Sequence, residues 1–196
     1  MQTHRIMLVD DESGVLAALS RLLRHSPLSI AGQACRPQVE AFTSAREALA
    51  RAAERAYDLV ISDYRMPEMD GVALLNRMRE MQPGCARVIL SGYTDLNGLI
   101  SAINDARIDR FVAKPWNDFE LTSALSQILQ IRMLRMENED LANQVRCERG
   151  HLTAEDLERQ RLEQLEPGIT QVQWGPDGSV LMDDAALLPE LRAGWN

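Results

Sequence analysis

Lysine is all but missing from this chain of 196 residues: of its 21 basic residues only Lys114 is a lysine. Basic residues are also outnumbered by 29 acidic ones, leaving a net charge of −8. That balance argues against a general nucleic-acid surface, which needs clustered positive charge. Cysteine is sparse as well. Cys35, Cys85 and Cys147 are odd in number and far apart, with neither a CxxC nor a metal-binding spacing, and they read as free thiols in a reducing cytoplasm. No apolar run approaches the roughly 20 residues of a membrane span. Met1 to Arg5 leads straight into a short apolar run without a signal-peptide pattern. The expectation is a cytoplasmic protein with no membrane and no nucleic acid among its partners. With 45% hydrophobic residues the chain can still bury a core, and its length fits one ordinary domain plus something smaller.

What is present is alternation. Arg5–Val9 is a buried-strand pattern, and Val15, Leu16, Leu19, Leu22 and Leu23 then recur with helical spacing. Val39–Phe42 is a weaker strand, followed by Ser44 as a helix N-cap and an Ala-rich helix over 45–55. Asp58–Ser62 and Ala86–Leu90 are further strands, separated by a helix over 71–82 that Pro83-Gly84 ends. Leu96 to Ala106 reads as a helix, Arg110–Ala113 as a fifth strand, and Asn117 onward as a long last helix. Residues 26–37 read as a long loop with no assigned function. Five strands alternating with helices predict an open, mostly parallel α/β sheet with helices on both faces.

In such sheets ligands sit beyond the carboxyl ends of the strands. Asp10-Asp11 follows the first strand, Asp63 the third, Ser91 the fourth and Lys114 the fifth, so all are expected at one edge. Singly each has a duller reading, as a helix cap, a turn residue or a surface charge. As a set they suit one chemistry. Crowded carboxylates repel, and a divalent cation such as Mg²⁺, which favours oxygen ligands, removes the conflict. Asp63 can then attack a phosphoryl donor, with the metal and the Lys114 ammonium offsetting charge on the transferred group. Ser91 is placed to donate a hydrogen bond to a phosphoryl oxygen.

These residues resemble the response-regulator receiver domain of bacterial two-component systems. The matches are Asp10-Asp11, the run from Asp63 to Gly71, Ser91 and Lys114-Pro115, in order over residues 4–130. The resemblance implies a flavodoxin-like sheet ordered 2-1-3-4-5, with Asp63 phosphorylated by a sensor histidine kinase. It implies Asp11 and Asp63 as direct Mg²⁺ ligands, Asp10 helping through water, and the backbone carbonyl of Arg65 completing the set. Ser91 and Phe111 correspond to the family's switch hydroxyl and aromatic, and Pro115 to its cis-proline. The runs 90–95 and 114–116 look like those of hydrogenase-regulator and HD-GYP-linked receivers.

The expected organisation is a receiver at 1–130, a helical or coiled-coil extension at 131–166 and a short β-hairpin tail at 167–196. Ile131, Leu134, Asn138, Leu141, Val145 and Leu152 nearly fit a heptad seam, in which a buried Asn fixes a two-stranded register. A helix packed back on its own domain, or an exposed amphipathic helix, is the alternative. Thr153 to Asp156 resembles a capping box, and 169–182 reads as a hairpin. Residues 131–196 hold 7 Arg against 13 Asp and Glu, so the expected output is homodimerisation or an unknown downstream protein rather than DNA. The competing reading is a scaffold or adaptor that uses the same fold for assembly, with phosphorylation secondary. An aspartyl-intermediate enzyme would want an acid two residues beyond Asp63, where Arg65 stands. The expectation is a phosphoacceptor, not an enzyme.

Overall fold

The computed structural model describes residues 4–92, 107–149 and 152–165. Its centre is a parallel sheet built from β1 (Arg5–Val9), β4 (Gln38–Phe42), β5 (Leu59–Asp63), β6 (Ala86–Gly92) and β7 (Arg110–Lys114). The spatial order is β4-β1-β5-β6-β7, which is the expected 2-1-3-4-5 when the sheet's own strands are counted in sequence. In the central strands nearly every residue is buried, because helices cover both faces and leave no side of the strand for solvent. Hence these strands read as continuous apolar runs rather than alternating ones.

One face packs α1 (Ser13–His25) and α4 (Asp118–Glu148), burying Leu19, Leu23, Leu121, Leu125 and Leu129 against Ile6, Leu8 and Ile61. The other packs α2 (Ala45–Glu54) and α3 (Gly71–Met81) through Ala48, Ala52, Leu74, Leu75 and Met78 against Met7, Val60 and Ile89. Side chains alternate across a strand, so neighbours in one apolar run feed different cores. Helix starts follow their caps. Ser44 accepts from the Glu47 amide, Asp70 from the Ala73 amide, and Asn117 from those of Phe119 and Glu120.

Two expectations about the connections need comment. Residues 26–37 are not a plain loop. β2 (Leu28–Ile30) and β3 (Gln33–Cys35) pair antiparallel as a hairpin. Leu28 and Ile30 are buried in the α1/α4 core, and the Ser29 amide donates to Ser126 Oγ of α4 at 3.1 Å. The apolar-polar-apolar alternation of Leu28-Ser29-Ile30 was the available signal, too short to stand out between Pro27 and Pro37. Ala31 and Gly32 turn the chain with φ of 50° and 77°, a left-handed pair of the kind two-residue hairpins require. The last helix is long, as expected. α4 runs unbroken through residue 130 and ends at Glu148, and α5 (Ala154–Leu165) follows. Thr153 and Asp156 close the capping box reciprocally, the Asp156 amide to Thr153 Oγ1 at 3.1 Å and the Thr153 amide to Asp156 Oδ2 at 3.3 Å. The expected helix at 96–106 and the hairpin at 169–182 lie outside the described residues.

Candidate functional site

Parallel strands carry all their carboxyl ends to one edge, and register decides which residues meet there. Asp63 closes β5 beside Leu90, Ser91 pairs with Ala113, and Gly92 with Lys114. Asp10 follows β1, its amide donating to the Phe42 carbonyl of β4 at 3.2 Å. Ends of four strands thus bring Asp10, Asp63, Ser91 and Lys114 together.

The single lysine joins the cluster. Lys114 Nζ lies 2.7 Å from Asp10 Oδ2 and 2.5 Å from Asp63 Oδ1. Each carboxylate has a second oxygen held by backbone: Asp10 Oδ1 accepts from the Glu12 amide at 2.9 Å, and Asp63 Oδ2 from the Arg65 amide at 2.7 Å. Asp10 is 1% exposed and Asp63 7%. Burial pushes the Asp10 carboxyl above its ordinary range, although the Lys114 and Glu12 contacts oppose it. Burial alone would lower Lys114, but its hydrogen bonds to Asp10 and Asp63 outweigh that and hold it above its ordinary value. The ammonium therefore stays charged between two carboxylates that could not otherwise lie so near each other.

Of the three expected carboxylates, Asp10 and Asp63 share Lys114. Asp11 is exposed just outside the Asp10–Lys114–Asp63 cluster, and among the described residues no three His, Cys, Asp or Glu side chains gather as a metal cage. The donors that do converge are hard oxygens, the carboxylates of Asp10 and Asp63. Mg²⁺ takes such a set, since it uses one or two carboxylates and fills its octahedron with water and phosphate oxygen.

Ser91 is 1% exposed at the end of β6, where its hydroxyl donates to the Gly92 carbonyl at 3.4 Å. Phe111 is half-buried and packs on the α2/α3 face, whereas Val112 packs on the α1/α4 face. The Lys114–Pro115 peptide is cis. Beside β7 a hollow of about 190 Å³ is lined by Arg110, Phe111, Trp116, Glu120 and Leu121.

Two contributors have roles that the sequence does not assign, although Gly71 lies in the matched run. Gly71 opens α3 against the acceptor strand. A Cβ there would run into the Asp63 carbonyl oxygen and approach Ser62 Oγ to 3.0 Å, so only glycine fits. The Asp70-Gly71 pair at a helix start was the visible signal. The second is the Arg65 amide, which grips Asp63; a backbone donor leaves no trace in residue type.

Comparison with known proteins agrees with this geometry. A family model described as the response regulator receiver domain matches residues 6–126. The hydrogenase transcriptional regulatory protein HoxA of Bradyrhizobium diazoefficiens is 32% identical over 148 residues, which are 75% of this chain but 28% of HoxA. The chain therefore spans little more than a quarter of that relative's length. The receiver domain of an HD domain-containing protein from Pseudomonas fluorescens is 35% identical with a TM-score of 0.60, covering 67% of this chain and 98% of its own. A protein of Neptuniibacter caesariensis is 37% identical with a TM-score of 0.61, covering 69% of this chain and 93% of its own.

Proposed function

The chain belongs to the response regulator receiver family, and from that premise we propose that Asp63 accepts a phosphoryl group from a sensor histidine kinase. The observation that carries this is the shared grip of Lys114 on Asp10 and Asp63 at a buried strand edge. Receiver domains are generally phosphorylated by such kinases and generally use Mg²⁺. In the reaction a carboxylate oxygen of Asp63 forms the new O–P bond while the donor's P–N bond breaks and the electron pair returns to the imidazole. Lys114 offsets negative charge on the transferred group, and the Ser91 hydroxyl turns from the Gly92 carbonyl to donate to a phosphoryl oxygen. Asp10, Asp11, Asp63 and the Arg65 carbonyl would hold Mg²⁺, which when bound supplies charge neutralisation on the phosphoryl oxygens.

The acyl phosphate adds roughly two negative charges at the edge. Phe111 then follows Ser91, and the hollow beside β7 is the surface whose shape reports the change. The protein is a phosphoacceptor that catalyses only its own phosphoryl transfer and loss. HoxA is by its name a transcriptional regulator, yet the acidic balance of residues 131–196 supports output through protein contacts rather than DNA. This reading divides the chain into a receiver at 1–130, a helical extension at 131–166 and a short tail at 167–196. It locates the protein in the cytoplasm, supported by three cysteines that form no disulfide; no described helix is long and apolar enough to cross a membrane.

The test is chemical. Incubated with a small-molecule phosphodonor and Mg²⁺, the protein takes up acid-labile phosphate, and Asp63→Asn takes up none. Persistent labelling of the variant defeats the assignment.

A further inference from the structure

The second half of α4 leaves an apolar stripe without a partner among the described residues. Up to Leu129 the helix buries its apolar face in its own domain. Beyond that, Ile131, Leu134, Leu141 and Val145 are 49%, 48%, 53% and 43% exposed. With Asn138 they step by three and four residues in turn, which makes one continuous heptad seam, Asn138 at an a position.

We propose that this seam binds a second copy of the chain, parallel and in register, and that the pairing persists whether or not Asp63 is phosphorylated. The second clause rests on the reading of Asp63 given above; the first does not. The choice of occupant follows from Asn138. In a parallel, in-register pair its amide faces its own counterpart, and each satisfies the other. An antiparallel pair centred on the seam sets it against the partner's Leu141 and leaves a buried amide unpaired, as an apolar partner of another sequence also would. The flanking positions agree. Parallel pairing sets Gln130 opposite Arg135, Glu137 opposite Ala142 and Gln144 opposite Arg149, with no like charges facing at these flanks; Glu148, at the last d position, meets its own counterpart where the seam ends.

From Ile131 to Arg149 the seam is only about 28 Å long, short for a free coiled coil. Here the helix is already fixed. Arg132 Nη1 meets Asp58 Oδ1 at 2.6 Å, Arg132 Nε donates to the Gly84 carbonyl at 2.7 Å, and Ser126 holds the β2–β3 hairpin. These anchors explain the independence from phosphate. Asp58 and Gly84 precede β5 and β6, at the sheet edge opposite Asp63. The buried face of α4 shares its core with α1, and Phe111 packs on the α2/α3 face, meeting α4 only at the hollow lined by its first turns, Glu120 to Ala124, well before Ile131. Movement of Ser91 and Phe111 therefore leaves the seam's mounting in place.

Light scattering of the full chain over a wide concentration range tests both clauses. The expected mass is a dimer with and without beryllofluoride and Mg²⁺. Leu141→Glu is expected to become monomeric while still taking up phosphate from the small donor, which shows that the receiver is intact. Asn138→Cys, in a chain also carrying Cys35→Ser and Cys147→Ser, is expected to cross-link to itself under mild oxidant; Cys85 is buried and its thiol pushed up to about 12, so it stays inert. A monomer that dimerises only with beryllofluoride overturns the independence. A dimeric Leu141→Glu overturns the seam, and a dimer whose Asn138→Cys does not cross-link overturns the register. None of these depends on labelling, whose failure would instead defeat the Asp63 assignment.

Discussion

The two edges of the one sheet use the same ingredients, carboxylates and long cations, to opposite ends. At the amino edge Asp58 and Asp109 each hold a backbone amide and an arginine of their own. Asp58 accepts from the Arg5 amide at 2.7 Å and from Arg132, and Asp109 from the Arg87 amide at 2.9 Å and from Arg135. Arg87 in turn caps the carbonyls of Cys85 and Arg107. These groups tie strand starts to each other and to α4, and each carboxylate has a positive charge of its own against it. At the carboxyl edge two buried carboxylates share one ammonium and one backbone amide apiece. Two carboxylates against one cation leave net negative charge at this edge, which a divalent metal can neutralise. An ion cluster is poised for chemistry when its charges are close but not balanced.

The largest expected effect breaks this contrast at the carboxyl edge. Lys114→Met removes the one cation between Asp10 and Asp63 and the donor aimed at the transferring group. Initial rates of labelling by a small phosphodonor with Mg²⁺ are expected to fall by about 10²–10³, the usual loss for one preorganised electrostatic donor. A rate within a few-fold of the parent would mean that Lys114 is structural like the arginines opposite.

The reciprocal change is Asp58→Ala. It leaves Arg132 and the Arg5 amide without their acceptor and is expected to cost about 1.5–3 kcal/mol, as for a hydrogen bond to a charged group. Urea unfolding measures the loss. The labelling rate should not move, since Asp58 stands at the far end of β5 from the acceptor. A variant that keeps its stability but loses labelling would erase the distinction between the edges.

The sequence made one edge far more legible than the other. Asp10, Asp63, Ser91 and Lys114 each end an apolar run, so counting strands placed them together before any coordinates. The amino edge was invisible by the same method. Asp58 reads as the first residue of a strand, and Arg132 lies within the long last helix with no signal of its own. Their meeting depends on how α4 crosses the sheet, which no local pattern encodes. Asp10 and Asp11 differ in burial, Asp10 enclosed and Asp11 exposed, a difference that two adjacent identical letters do not show. The hairpin at 28–35 was missed because three-residue strands carry too little periodicity to be heard over two prolines.

The smallest effect separates the edges by pH. His4 is 5% exposed beside Asp58, and its Nδ1, 3.8 Å from Asp58 Oδ2, makes no hydrogen bond among the described residues. Burial lowers its pKa below the ordinary 6.5, and Arg132 adds to that, while Asp58 only partly opposes them. The folded protein therefore holds His4 neutral, whereas the unfolded chain takes up a proton near pH 6.5. Stability from this group is present above that value and is lost as pH falls below it. Lys114, held above 10.5, stays charged in both states throughout this range and contributes no slope. Urea midpoints are thus expected to drop between about pH 7.5 and about pH 5.5, and His4→Phe should flatten that drop without altering the pH profile of labelling. A labelling profile that shifted with His4 would mean that the two edges communicate, and the division of labour across the sheet would have to be redrawn.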